Sequence, residues 1–129
     1  MKTVLSLIAA SAMFLIAAPA EAKASEFGVI TMRNPTSNTV HYQLRWGDGE
    51  WVSYALSPGH YRVHYHALNE YGRAPAPQVR FDNVLNDGQV TNRQYNLGFY
   101  ASWHTGYDNG KKYYFRVSGC GQFLDLYAQ

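Results

Sequence analysis

His64 and His66 stand two residues apart in the alternating run Tyr61 to Leu68. On an extended strand both imidazoles leave the same face, roughly 6 to 7 Å apart, a spacing at which two ring nitrogens can share one metal ion. Zinc would need a further His, Cys or carboxylate. His41 is the third candidate ligand, and His60 in a turn or His104 in a loop could complete the set. His64, His66 and His41 therefore form the candidate metal set, but no metal is favoured, because solvent-facing histidines on an outer strand face account for the same residues more simply.

A second group of residues suits binding. Trp51 is flanked by Arg45 and His66, with Gln43 nearby, if the strands pair as argued below. An outward indole among cationic and amide groups is a platform on which a sugar ring can stack while its neighbours take hydroxyls or carboxylates. Trp103, His104 and Tyr107, followed by Asp108, make a similar aromatic and polar cluster in a later loop, and long loops often carry function. The candidate ligand-binding residues are thus Gln43, Arg45, Trp51, His64, His66, Trp103, His104 and Tyr107.

Catalysis finds little support, and no catalytic residue and no cofactor is assigned. No serine lies in a G-x-S-x-G elbow, and no pair of carboxylates has glycosidase spacing. Asp48-Gly49-Glu50 and Asp108-Asn109-Gly110 carry too few ligands for a calcium loop and read as turns. Cys120, the single cysteine, sits in Ser118-Gly119-Cys120-Gly121 with no adjacent His or cation to activate it. It reads as a small turn residue before it reads as a dimer-forming thiol.

The elements that must position these groups are short strands. From Val40 to Ala67 three runs, TVHYQLRW, WVSYAL and YRVHYHAL, alternate apolar and polar residues around two turns, predicting a three-stranded antiparallel meander. At Trp46-Gly47-Asp48-Gly49-Glu50 a two-residue loop buries neither face. A three-residue loop with Gly49 left-handed and a bulge sets Leu44, Tyr42 and Val40 opposite Val52, Tyr54 and Leu56. The Ser57-Pro58-Gly59-His60 turn then places Leu56 opposite Tyr61, Tyr54 beside Val63 and Val52 beside Tyr65. The outer face reads Arg45, Trp51, His66, then Gln43, Ser53, His64, then His41, Ala55, Arg62.

Elsewhere Phe27 to Arg33 is the first strand, ended by Asn34-Pro35-Thr36-Ser37-Asn38. Asn69 to Pro77 is an irregular crossover between sheets. Gln78 to Asn83 is a strand with Val79 and Phe81 inward, and Arg93 to Tyr100 a strand with Tyr95, Leu97 and Phe99 on one face. Ala101 to Lys111 is a loop. Lys112 to Ser118 and Gln122 to Tyr127 form a final hairpin, in which a Gly119-Cys120 loop pairs Phe115 with Leu124 and Tyr113 with Leu126, and sets Tyr114 opposite Asp125. About eight short strands with turns every eight to twelve residues predict an all-β fold, a small single-domain antiparallel β-sandwich (immunoglobulin-like) or a partly open barrel.

Lys2, the apolar stretch Val4 to Ala18 and the small residues Ala18, Ala20, Ala22 and Ala24 read as a secretory signal peptide over 1–22, with cleavage after Ala20 or Ala22 fitting the A-x-A rule equally well, leaving 23–129 as one domain that is secreted or periplasmic. No transmembrane segment is expected after its cleavage. Lys and Arg number 11 against 9 Asp and Glu, a net +2 that is unchanged once Lys2 and Glu21 leave, too weak a charge to make nucleic acid a default partner. The strand, the Asn-Pro-Thr turn, the Trp-Gly-Asp-Gly-Glu-Trp hairpin, the Leu-Ser-Pro-Gly turn and the closing Tyr-Tyr-Phe-Arg and Leu-Asp-Leu-Tyr strands resemble small exported bacterial β-sandwich domains of uncharacterised function. That resemblance implies no catalytic residue.

Three functions follow from these residues. The first is an exported, non-enzymatic module binding an extracellular polysaccharide or cell-surface ligand, as a monomer or weak homo-oligomer. The others are a structural or matrix protein assembling through strand edges, and a metal-binding protein or hydrolase using His64 and His66.

Overall fold

The computed structural model describes residues 26–129. The expected signal peptide and the segment Lys23 to Ser25 lie outside the described residues. Among the described residues nine strands form: β1 Phe27–Arg33, β2 Val40–Trp46, β3 Val52–Leu56, β4 Tyr61–Ala67, β5 Pro77–Asp82, β6 Asn92–Asn96, β7 Tyr100–Ser102, β8 Lys111–Ser118 and β9 Phe123–Ala128, with one 3-10 turn at Tyr107–Asn109. They build two sheets. The first runs β9-β8-β1-β4, with β7 also on β1, and the second runs β3-β2-β5-β6. The sheets do not close into a barrel, so the sandwich alternative holds. Among the described residues no helix is long and apolar enough to cross a membrane.

β1 organises the first sheet because its run FGVITMR is buried on both faces: Val29, Ile30, Thr31 and Met32 are all 0% exposed. Ile30 and Met32 face the second sheet and join the core. Val29 and Thr31 point the other way, Thr31 beneath segment 103–110, where its hydroxyl donates to the Tyr107 carbonyl at 2.8 Å. One edge of β1 pairs with β4 along seven residues, from Phe27 opposite Ala67 to Arg33 opposite Tyr61. The other edge is shared, antiparallel to β7 over Phe27–Val29 and parallel to β8 over Ile30–Arg33.

The core lies between the sheets. Phe115 of β8 meets Phe81 of β5 edge-on at 5.3 Å and Tyr42 of β2 at 5.5 Å. Full burial of a phenylalanine side chain contributes about 1.5–3 kcal/mol, so these two rings are a large share of what joins the layers.

The β2-β3 hairpin has the expected register, with Val40, Tyr42 and Leu44 opposite Leu56, Tyr54 and Val52. Its left-handed residue is Gly47, at φ 62°, and not Gly49. A Cβ on Gly47 would lie 2.6 Å from Pro75 of the crossover, so glycine is needed there for contact as well as for conformation. Val52 ends at the open rim of the sandwich, 49% exposed, although its face is the inward one.

The meander does not extend to a third strand. The Ser57-Pro58-Gly59-His60 turn forms with Gly59 at φ 76°, but it carries the chain from one sheet to the other. Asn34, 1% exposed, explains the crossing. Its Nδ2 donates to the carbonyls of Asn38 and Leu56, and its Oδ1 accepts from the amide and hydroxyl of Thr36. Its backbone amide bonds the His60 carbonyl, and its carbonyl accepts from Gly59. β4 is thereby drawn to β1, and the pairings Leu56 with Tyr61, Tyr54 with Val63 and Val52 with Tyr65 do not occur.

Two further registers differ from expectation. In the final hairpin Phe115 pairs with Leu126, Val117 with Leu124, and Tyr114 with Tyr127. The loop is Gly119 to Gln122, with Gly119, Cys120 and Gly121 all at positive φ. The slip is two residues, so each side chain keeps its face. The run Arg93 to Tyr100 divides into β6 and β7 on different sheets, and Leu97 and Phe99 pack into the core between them. Asn69 to Pro77 crosses between sheets as expected, and Val79 and Phe81 face inward at 0% and 2% exposure.

Candidate functional site

Because apolar residues of β2 and β5 point into the core, the alternate residues must form the outer face of the second sheet. Pairing sets Gln43 opposite Ser53 and Arg80, Arg45 opposite Gln78, and Gln78 opposite Asn96. The side chains bond across strands in two chains. Arg80 Nε donates to Gln43 Oε1 at 2.6 Å, and Gln43 Nε2 donates to Ser53 Oγ at 3.0 Å. In the next row Arg45 Nε donates to Gln78 Oε1 at 2.8 Å, and Gln78 Nε2 to Asn96 Oδ1 at 3.2 Å. Each chain spans three strands and holds its side chains in fixed positions.

Trp51 lies across these rows. The guanidinium carbons of Arg45 and Arg80 sit 4.5 and 4.3 Å from its ring centroid. The indole is half-buried, and it belongs neither to the core nor to the side chains packed against it. A shallow depression that shares Gln43, Ser53 and Arg80 with the first row is also lined by His41, Asp82 and Asn92. Asp82 Oδ1 accepts from the amides of Val84 and Thr91, so this carboxylate is engaged by its own loop.

The histidines do not gather on that face. β4 lies in the other sheet and turns the face of Arg62, His64 and His66 toward the second sheet, with His64 buried, His66 half-buried and Arg62 exposed at the rim over Tyr54, the reverse of the expected orientation. His64 is 6% exposed. Its Nε2 lies 2.8 Å from the Tyr42 hydroxyl, and its ring is edge-on to Tyr54 at 4.5 Å. Burial, reinforced by the charge of Arg62, lowers its pKa to about 4, so it is neutral at pH 7. Burial likewise pushes the Tyr42 hydroxyl well up, so it keeps its proton. His66 is half-buried against Trp46 at 5.3 Å, and its Nδ1 lies 2.8 Å from the Ala67 carbonyl.

His41 stands on the outer face of the second sheet, separated from His64 and His66 by the sheet itself. The three-histidine set is thus divided between sheets. Among the described residues no group of three or more His, Cys, Asp or Glu is placed to hold a metal ion.

Trp103, His104 and Tyr107 lie on the opposite side of the molecule, over β1. Tyr107 packs edge-on against Tyr61 at 4.6 Å, with Lys112 Nζ 5.1 Å from its ring. Asp108 pairs with Lys112 at 3.4 Å. Trp103 is 52% exposed and His104 is also exposed. Tyr107 is therefore part of the cover on Thr31, whereas Trp103 and His104 remain open to solvent. Arg33, His60, Tyr61 and Tyr107 also line a depression at that end, where the Arg33 guanidinium donates to Gln129 Oε1 at 2.6 Å.

Comparison with protein-family models, curated proteins and solved structures finds no match. The site therefore rests on its own geometry.

Of the residues singled out in the sequence, Gln43, Arg45 and Trp51 come together. His64 and His66 leave them, and Arg80, Gln78 and Asn96 take their place. The outward alternation of Gln78, Arg80 and Asp82 was visible beside inward Val79 and Phe81. What the pattern lacked was the identity of the neighbouring strand, which only the β2-β5 pairing supplies.

Proposed function

We propose that this protein is an exported, non-enzymatic module that binds a polysaccharide on the outer face of its four-stranded sheet. The observation that carries this reading is Trp51, a half-buried indole outside the core, held by two guanidiniums within rows of amide and hydroxyl side chains. A pyranose ring presents C–H groups to an indole and hydroxyls at its rim. Gln43, Ser53, Gln78 and Asn96 are donors and acceptors suited to those hydroxyls, and their mutual hydrogen bonds reduce the entropy lost when a ligand orders them. Gln43, Ser53, Gln78 and Asn96 lie on strands and Trp51 stands immediately before β3, which favours a regular polymer laid flat across the sheet.

Affinity electrophoresis against a panel of neutral and acidic polysaccharides tests this. Trp51→Ala, with an unchanged circular dichroism spectrum, is expected to weaken binding at least tenfold, and Trp103→Ala to leave it within twofold. Loss of binding in Trp103→Ala alone would transfer the site to the loop over β1. Retention in both variants would remove the proposal.

A further inference from the structure

Resting on the binding face just described, we infer that the polysaccharide is acidic, and that a uronate carboxylate docks on Arg45 and Arg80. Two guanidiniums lie within 4.5 Å of one point, the Trp51 ring centroid. Their separation is therefore at most about 9 Å, a range over which like charges repel, and a neighbouring carboxylate would offset this. Among the described residues no carboxylate oxygen lies within 4 Å of either guanidinium. Among the described residues the single ion pair is Lys112 with Asp108, on the opposite side of the sandwich. Asp82 is the acid nearest these rows on β5, and its bonded oxygen is turned to the amides of Val84 and Thr91.

The hydrogen bonds of the two arginines sharpen the inference. Each is anchored through Nε to a neutral glutamine, Arg45 to Gln78 and Arg80 to Gln43. An anchor at Nε fixes the plane of the guanidinium, and among the described residues its Nη donors make no side-chain bond and its charge meets no carboxylate. A planar fork of N–H donors matches a carboxylate in a way that no hydroxyl can, and an ammonium group lacks that geometry. A neutral glycan would leave both charges without a counter-ion, whereas a uronate supplies one and places its ring beside the indole that both arginines touch.

The test compares polymers with one backbone in two charge states: polygalacturonate with its methyl ester, and alginate with its propylene glycol ester. Titration calorimetry of the mature protein is expected to show at least tenfold tighter binding to one acid form than to its ester, a margin that narrows as salt rises. Arg45→Gln with Arg80→Gln should abolish the margin. Arg45→Lys with Arg80→Lys, which keeps the charge, should lose most of it, and full retention in this variant would overturn the carboxylate fork. Equal binding of acid and ester would overturn the acidic-ligand inference while the polysaccharide reading stands. Failure to bind either form or any neutral polymer would overturn both. Thermal melts of each variant identify loss caused by unfolding, and the lysine pair decides the matter if the glutamine pair is unfolded.

Discussion

The Tyr42 hydroxyl on β2 lies 2.8 Å from Nε2 of His64 on β4, so a hydrogen bond crosses from one sheet to the other inside the core. Both partners are buried, and Tyr54 and the Arg62 guanidinium close the cluster on the rim side, 5.2 Å apart. Because burial favours the uncharged imidazole, this contact links the sandwich to pH.

Acid should weaken the fold through His64. Its pKa lies near 4 in the folded state, against 6.5 for the ordinary residue. Above pH 6.5 neither state takes the proton, and the stability is fully present. As pH falls toward 4 the unfolded chain binds the proton first, and stability declines by about 3 kcal/mol in total. Below 4 both states are protonated and this loss levels off. Urea midpoints between pH 7 and 4 should fall steeply in the wild type and less in His64→Gln; equal slopes would exclude His64 as the cause.

Asn34→Ala should be among the costliest substitutions of a polar residue. It removes two bonds that Asn34 donates and two that it accepts at a site 1% exposed, and takes the side-chain donor from the Leu56 carbonyl. Each unsatisfied group costs about 1–3 kcal/mol, so a loss of roughly 2–4 kcal/mol is expected by denaturant titration. A loss below about 1 kcal/mol would mean that Asn34 does not hold the two turns together.

Two glycines should respond differently to alanine. At Gly110 a Cβ would lie 2.5 Å from Thr31 Oγ1 and 2.8 Å from the Ile30 carbonyl carbon, so segment 103–110 would have to lift from β1. At Gly59, φ is 76° but nothing lies within 4 Å, so only backbone strain of about 1–2 kcal/mol arises. Gly110→Ala is expected to be the more destabilising, and to speed amide exchange in 103–110. An equal effect of the two substitutions would show that the contact is easily relieved.

The alternations were legible wherever a strand buries one face against a core and shows the other to water. Val40, Tyr42 and Leu44, then Val79 and Phe81, declared their faces in this way, and the hairpin register followed from them. The final hairpin could slip by two residues without moving any side chain to the other face, so periodicity alone did not define its pairs. β4 was the hardest case. Its run YRVHYHA alternates, but both alternate sets contain aromatic or imidazole rings that tolerate partial burial, and the pattern suited either orientation.

What the sequence by itself determined is the set of short strands, their turns and the all-β class, because these depend on neighbours along the chain: period-two patterning, Pro and Gly at corners, and residues that break strands. Only the tertiary structure decided which strands meet. β1, apolar on both faces, needs a partner on each edge and a cover over its outer side, and so it takes β4 from the hairpin and segment 103–110 from the loop. That choice sends His64 inward to Tyr42 and brings Arg80 beside Trp51, because strand pairing is settled by competition for burial between segments far apart in the chain.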